Sequence, residues 1–209
     1  MARSEALGRV KDGYTSGTRR IAARWMSHLG RTRVTPNALT AGGVLLCAAA
    51  AVTVYFENRH ELAAFWIGAA FFIVGSILDI LDGALARSSG KATPFGAFVD
   101  SMTDRVSEGL ILGAIALVFM RDGNEVALAF TFAAAVGSFL VSYARAKAEI
   151  LGLRGDVGIG GRAERVVVIS AGLILAPWGG LQWTIYLLAI TAWLTVFQRL
   201  LYVRRQLDR

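Results

Sequence analysis

The chain has 209 residues, of which 55% are hydrophobic and only 18% charged, and its mean hydropathy is +0.53. Those values exclude an ordinary water-soluble domain, and a single cysteine, Cys47, excludes a disulfide framework. The formal charge of +7 fits membrane topology and anionic headgroups rather than nucleic acid, because the cations gather at the ends of apolar runs.

In chain order, residues 1–34 are basic and interrupted by Gly8, Gly13 and Gly17. From Arg19 a helical stripe of Ile21, Trp25 and Leu29 appears, which predicts an amphipathic helix lying on the cytoplasmic membrane surface. Thr35-Pro36-Asn37 opens the first long apolar run, with proline suited to a first helical position. Membrane spans are expected over roughly 37–56, 62–86, 95–120, 125–148, 160–177 and 182–203. Runs 38–56 and 126–144 carry no charge, whereas the second, third and fifth spans have polar ends and should face a cavity. The expected architecture is therefore an all-α integral membrane domain over 35–209, six transmembrane helices preceded by the interfacial segment 1–34. Twenty of the 22 Lys and Arg residues fall on the side of the termini, and only Arg59 and Arg121 on the other. This predicts a multi-pass protein of the cell membrane with both termini in the cytoplasm. His28 and His60 lack partners at ligand spacing, and Trp66, Trp178, Trp183 and Tyr202 read as interfacial anchors.

Four aspartates break this apolar pattern. Asp79 and Asp82 stand three residues apart, Asp100 and Asp104 four apart, so each pair shares one helix face. A carboxylate at membrane depth costs about 3 kcal/mol, so four of them need a compensating ligand. Opposed, the two pairs offer an oxygen cluster whose natural guest is Mg²⁺. Two ions at such a site would stabilise charge on a phosphoryl group during displacement. Asp79 lies about 12 Å inside the Arg87 end of its helix, so the cluster is recessed yet open to the cytoplasm. Gly83 leaves room for a phosphate beside the helix, Arg87 one turn on can hold phosphate oxygens, and Gly96 lets the opposing helix approach.

These residues carry a resemblance. The pattern Asp79-x2-Asp82-Gly83-x2-Ala86-Arg87-x8-Gly96-x3-Asp100-x3-Asp104 resembles the signature of the CDP-alcohol phosphotransferases, with every fixed position filled. The resemblance implies an integral membrane enzyme, a homodimer, that transfers a phosphatidyl group from CDP-diacylglycerol to an alcohol and releases CMP. It implies that Asp79, Asp82, Asp100 and Asp104 hold two Mg²⁺ ions, with Mn²⁺ as the alternative, and that Asp104 also takes the proton of the attacking hydroxyl. Gly83, Arg87 and Thr93 would contact the CDP moiety. The start Thr35-Pro36-Asn37 and the turn on through Ala38 and Leu39 to Thr40 resemble the family's wall on the nucleotide side, with Asn37, Ala38, Leu39 and Thr40 as its expected contacts.

For the acceptor, five cations lie between Arg145 and Arg165, and a phosphorylated alcohol needs two or three converging on one dianion. The stretch is similar to bacterial phosphatidylinositol-phosphate synthases, which implies myo-inositol phosphate as acceptor and Lys147, Arg162 and Arg165 as its phosphate clamp. Glycerol-3-phosphate, as in a phosphatidylglycerophosphate synthase, would ask for much the same clamp and is the alternative. Outside the class, a carboxylate-lined ion-coupled transporter is the rival. It should show repeated halves and helices broken at mid-membrane, and the sequence has no internal repeat. Glu108 is expected to pair with Arg105 or another cation of the bundle.

Overall fold

The computed structural model describes residues 35–57, 61–88, 90 and 92–208. The expected surface helix within 1–34 and both histidines lie outside the described residues.

Six α-helices and one short 3₁₀ turn make up the described chain. They are α1 (Pro36–Tyr55), α2 (Glu61–Ser88), α3 (Pro94–Arg121), α4 (Glu125–Ile150), α5 (Arg162–Leu175) and α6 (Leu181–Leu207). The turn Ala176–Trp178 extends α5 and ends at Gly179, whose φ of +73° suits glycine. Helix starts follow from local chemistry. The Thr35 hydroxyl accepts from the Ala38 amide and Thr93 from the Gly96 amide, each followed by proline at the first helical position. Asn124 caps α4 in the same way, accepting from the Ala127 amide at 3.0 Å.

Helices α1, α2, α4 and α6 are each long and apolar enough to cross a membrane. Large apolar side chains such as Leu45, Ile80, Phe132 and Phe197 stand exposed on them, as lipid-facing residues do. Helix α3 has 28 residues but carries its three acids within its first 15, and α5 has only 14, about 21 Å of helix. The described residues thus form the all-helical bundle of a membrane protein, with α3 and α5 set apart by composition and length from the other four.

Helix α1 packs against both α2 and α3, α4 pairs with α6, and α5 bridges α6 to α2. The core is made by Val54, Phe72, Ile111, Ile115, Ile169, Leu173, Ile185 and Leu188, all nearly or fully buried. At one end, Trp66 donates its indole N–H to the Ile174 carbonyl and lies 6.1 Å from Trp178, tying α2 to the turn after α5. The α1–α2 seam is closed by glycine. A Cβ on Gly75 would stand 2.8 Å from the Gly43 carbonyl oxygen, and one on Gly43 would stand 2.9 Å from the Gly75 carbonyl. This close approach sets Thr40, about one turn before Gly43, against Asp82, two turns after Gly75. Gly75→Val should overpack the seam and cost about 1–3 kcal/mol, read as a fall in thermal midpoint in detergent. An unchanged midpoint would mean that the helices can separate without penalty.

Candidate active site

Helix direction places the acids. Helix α2 ends, and α3 begins, on the same side of the bundle, so Asp79 and Asp82 of α2 meet Asp100 and Asp104 of α3. Asp79 and Asp82 are buried, and Asp100 and Asp104 are partly buried. Ligand oxygens of Asp79, Asp82 and Asp100 all lie within 4.8 Å of one another. The Thr40 hydroxyl donates to Asp82 Oδ2, while the other oxygen, Oδ1, is buried without a hydrogen-bonding partner. Three carboxylates crowded together, one with a buried orphan oxygen, form an all-oxygen donor set that fits a hard divalent cation. The chain thus carries a carboxylate cluster able to hold a metal ion. Asp104 stands one turn further along α3 and is not among the three closest donors.

Asp104 is engaged by Arg162 instead. One guanidinium nitrogen of Arg162 pairs with Asp79 Oδ2, and the other lies 2.7 Å from Asp104 Oδ1. Arg105 turns back on its own helix, donating to Ser101 Oγ at 2.8 Å, and stays 3.6 Å from Asp104 Oδ2.

Beside the acids lies a cavity of about 480 Å³, walled by the start of α1, the end of α2 and the start of α3. Asn37, Thr40, Gly83, Arg87 and Thr93 all line it, together with Asp82, Gly96 and Asp100. The Arg87 guanidinium folds back over Gly83, so a Cβ there would sit 3.3 Å from its nitrogen. The sequence thus brings five of the seven expected nucleotide-side residues to one wall. Ala38 and Leu39 are not in the lining: Leu39 is buried, and the Ala38 amide is spent on the Thr35 cap. Thr35, Ala86, Ala92 and Ala97 also line the cavity. Of these, Ala86 had a signal in its place in the aspartate motif and Thr35 in its place at the start of the stretch resembling the nucleotide wall, whereas Ala92 and Ala97 had none.

The expected three-cation clamp does not converge. Arg165 is 3% exposed and gives its whole fork to protein. Nε and Nη2 reach the two Glu108 oxygens at 2.6 and 2.8 Å, and Nη1 donates to the Gly160 carbonyl at 2.9 Å. The partner of Glu108 is therefore Arg165 rather than Arg105. Lys147 is exposed on α4, 6.0 Å from the Tyr143 ring centroid, and lines a separate cavity between α4 and α6. Only Arg162 of the three stands at the aspartates. The reason is a competing partner rather than helical phase: a spacing of three would leave Arg165 on the same face as Arg162, but both Glu108 oxygens on α3 and the Gly160 carbonyl take its fork. Arg165→Ala should leave Glu108 buried and unpaired, a loss of about 3–5 kcal/mol, seen as early thermal unfolding. Normal stability with a weakened acceptor KM would instead return Arg165 to the clamp.

Comparison with known proteins agrees with this geometry. The family description CDP-alcohol phosphatidyltransferase matches residues 33–198. An archaetidylinositol phosphate synthase from Pyrococcus horikoshii is 37% identical over 84% of this chain and 86% of its own. A phosphatidylinositol phosphate synthase from Mycobacteroides abscessus is 35% identical over 85% and 81%. The crystal structure of the Mycobacterium tuberculosis phosphatidylinositol phosphate synthase with CDP-DAG bound superposes with a TM-score of 0.76 at 30% identity, covering 88% of this chain and 94% of that one. The same enzyme in complex with manganese and citrate superposes at 0.75. With the motif, the fold and an acid-lined cavity in agreement along most of its length, the chain belongs to the CDP-alcohol phosphatidyltransferase family.

Proposed function

We propose that the protein transfers the phosphatidyl group of CDP-diacylglycerol to myo-inositol phosphate, giving phosphatidylinositol phosphate and CMP. The observation that carries this reading is the juxtaposition of an acid cluster, a nucleotide-sized cavity and an arginine, Arg162, that forks across two of the acids. The relatives differ in the lipid their names specify but agree on inositol phosphate as the acceptor half of the product. Family membership disposes of the transporter alternative.

In the proposed mechanism Arg87 holds the CDP phosphates where Gly83 leaves space, and Asn37, Thr40 and Thr93 flank the nucleotide. Thr40 fixes the rotamer of Asp82 through its hydroxyl. Asp79, Asp82, Asp100 and Asp104 would hold two Mg²⁺ ions, which when bound neutralise charge on the phosphoryl group undergoing displacement. The acceptor hydroxyl oxygen attacks the phosphorus that carries diacylglycerol, the bond from that phosphorus to the CMP oxygen breaks, and CMP leaves. Asp104 takes the hydroxyl proton. Arg162 holds the acceptor phosphate, Arg165 fixes the backbone from which Arg162 projects, and Lys147 supplies positive charge further out. The six helices span the cell membrane with the acids toward the cytoplasm, and the enzyme acts as a homodimer.

Purified protein incubated with CDP-diacylglycerol and Mg²⁺ should release CMP on addition of myo-inositol phosphate, and far more slowly with myo-inositol or glycerol-3-phosphate. Faster release with glycerol-3-phosphate would reassign the enzyme to that acceptor.

A further inference from the structure

We infer that Arg162 is a built-in counter-ion that divalent metal displaces, and that its release presents the guanidinium to the acceptor phosphate. Metal and phosphate therefore bind cooperatively. The phosphate half rests on the proposed acceptor class; the displacement half does not.

The geometry leads there in three steps. Arg162 forks across both helices, one nitrogen on Asp79 of α2 and the other on Asp104 of α3. Asp79 also belongs to the three-carboxylate donor set, so the guanidinium and a metal ion draw on the same side chain. A divalent cation drawing on those oxygens competes with the guanidinium directly and repels it by charge. The two cations oppose each other at Asp79.

Arg162 is also placed to leave. Its side chain is 31% exposed, and it is the first residue of α5, behind Gly160 and Gly161. Three residues on, Arg165 is locked to Glu108 and to the Gly160 carbonyl, and the Gly160 amide donates to Thr195 Oγ1 at 2.8 Å. The backbone under Arg162 is thus pinned, while its partly exposed side chain is held only by the two aspartates that a metal ion would neutralise. A forked guanidinium released next to a metal-neutralised cluster is suited to a phosphate dianion. Its departure also uncovers Oδ1 of Asp104, the residue proposed to receive the hydroxyl proton. Coupling between two such sites is reciprocal: whatever metal does for phosphate affinity, phosphate does for metal affinity.

The test titrates Mn²⁺ by electron paramagnetic resonance into the purified full chain without lipid substrate, comparing parent, Arg162→Gln and Arg162→Lys. Removing the competing cation should tighten Mn²⁺ binding about 5- to 150-fold in Arg162→Gln, with Arg162→Lys between the two. Without metal, Arg162→Gln should melt below the parent, and saturating Mn²⁺ should close that gap. Inorganic phosphate should tighten Mn²⁺ binding to the parent and leave Arg162→Gln unchanged. Equal or weaker Mn²⁺ binding by a helical, folded Arg162→Gln would overturn the displacement, with Arg162→Lys deciding in the same way if the glutamine variant does not fold. Phosphate without effect on the parent would overturn the coupling. None of these measurements uses inositol phosphate, so they stand or fall apart from the acceptor assignment, which CMP release decides.

Discussion

Asp82→Asn is expected to lower CMP release by on the order of 10³-fold while making the metal-free protein more stable, not less. The activity loss follows from the site. Charge stabilisation of a phosphoryl group by a bound ion contributes several kcal/mol, and each 1.36 kcal/mol is tenfold in rate. The gain in stability follows from burial. Asp82 is 3% exposed, faces Asp79 and Asp100, and has one oxygen without a partner. Asparagine keeps an oxygen to accept from Thr40 and removes one charge from a crowded acidic group, relieving repulsion and desolvation together. Sites evolved for function commonly carry this trade. Thermal unfolding in the presence of chelator, set beside CMP release at saturating Mg²⁺, measures both halves. A variant that is both active and destabilised would mean that Asp82 is a structural residue and not a metal ligand.

The second large effect concerns Asp104. Its Oδ1 faces Arg162 and it lies outside the closest donor set, which leaves it free for a role that Asp79, Asp82 and Asp100 do not share. As general base it should contribute about 10²- to 10⁴-fold to turnover. Asp104→Asn should therefore lose that factor in kcat, while the KM for CDP-diacylglycerol moves little. Mn²⁺ affinity should fall less than in Asp82→Asn. A loss in metal affinity equal to that of Asp82→Asn would reduce Asp104 to a fourth ligand. The measurement is steady-state CMP release with the lipid varied, paired with the metal titration.

The contrast between what was readable in the chain and what was not has a physical basis. A helix is present at each of the six expected spans, with ends at most four residues from the expected ones, because proline, threonine caps and glycine turns mark those ends locally. The acids were readable for the same reason: pairs at spacings of three and four need only helical phase to declare a shared face. The clamp was different. Arg162 and Arg165 look alike in sequence, and the difference between them is made by Glu108, 57 residues before Arg165, and by the Gly160 carbonyl. Lys147 is separated from the acids by the α4–α6 pairing, which no local pattern announces. Local rules fix where helices begin and which face is polar. They do not say which of several cations finds a buried carboxylate when helices meet.

The brevity of α5 carries a consequence for the membrane itself. With its 3₁₀ extension it has 17 residues, about 27 Å, against a hydrocarbon core of about 30 Å. In a six-span arrangement the deficit falls at the Arg162 end, since Trp66 and Trp178 tie the other end to α2. The lipid around that side must then thin, or the arginine must sit below the plane of its neighbours' headgroups, at fractions of a kcal/mol per Å of mismatch. Turnover should accordingly depend on acyl-chain length of the host bilayer, falling as the vesicle is thickened even at a fixed mole fraction of substrate. A helix slightly too short for its membrane would draw the surface down to the acids, so that two reactants of opposite solubility meet at one depth.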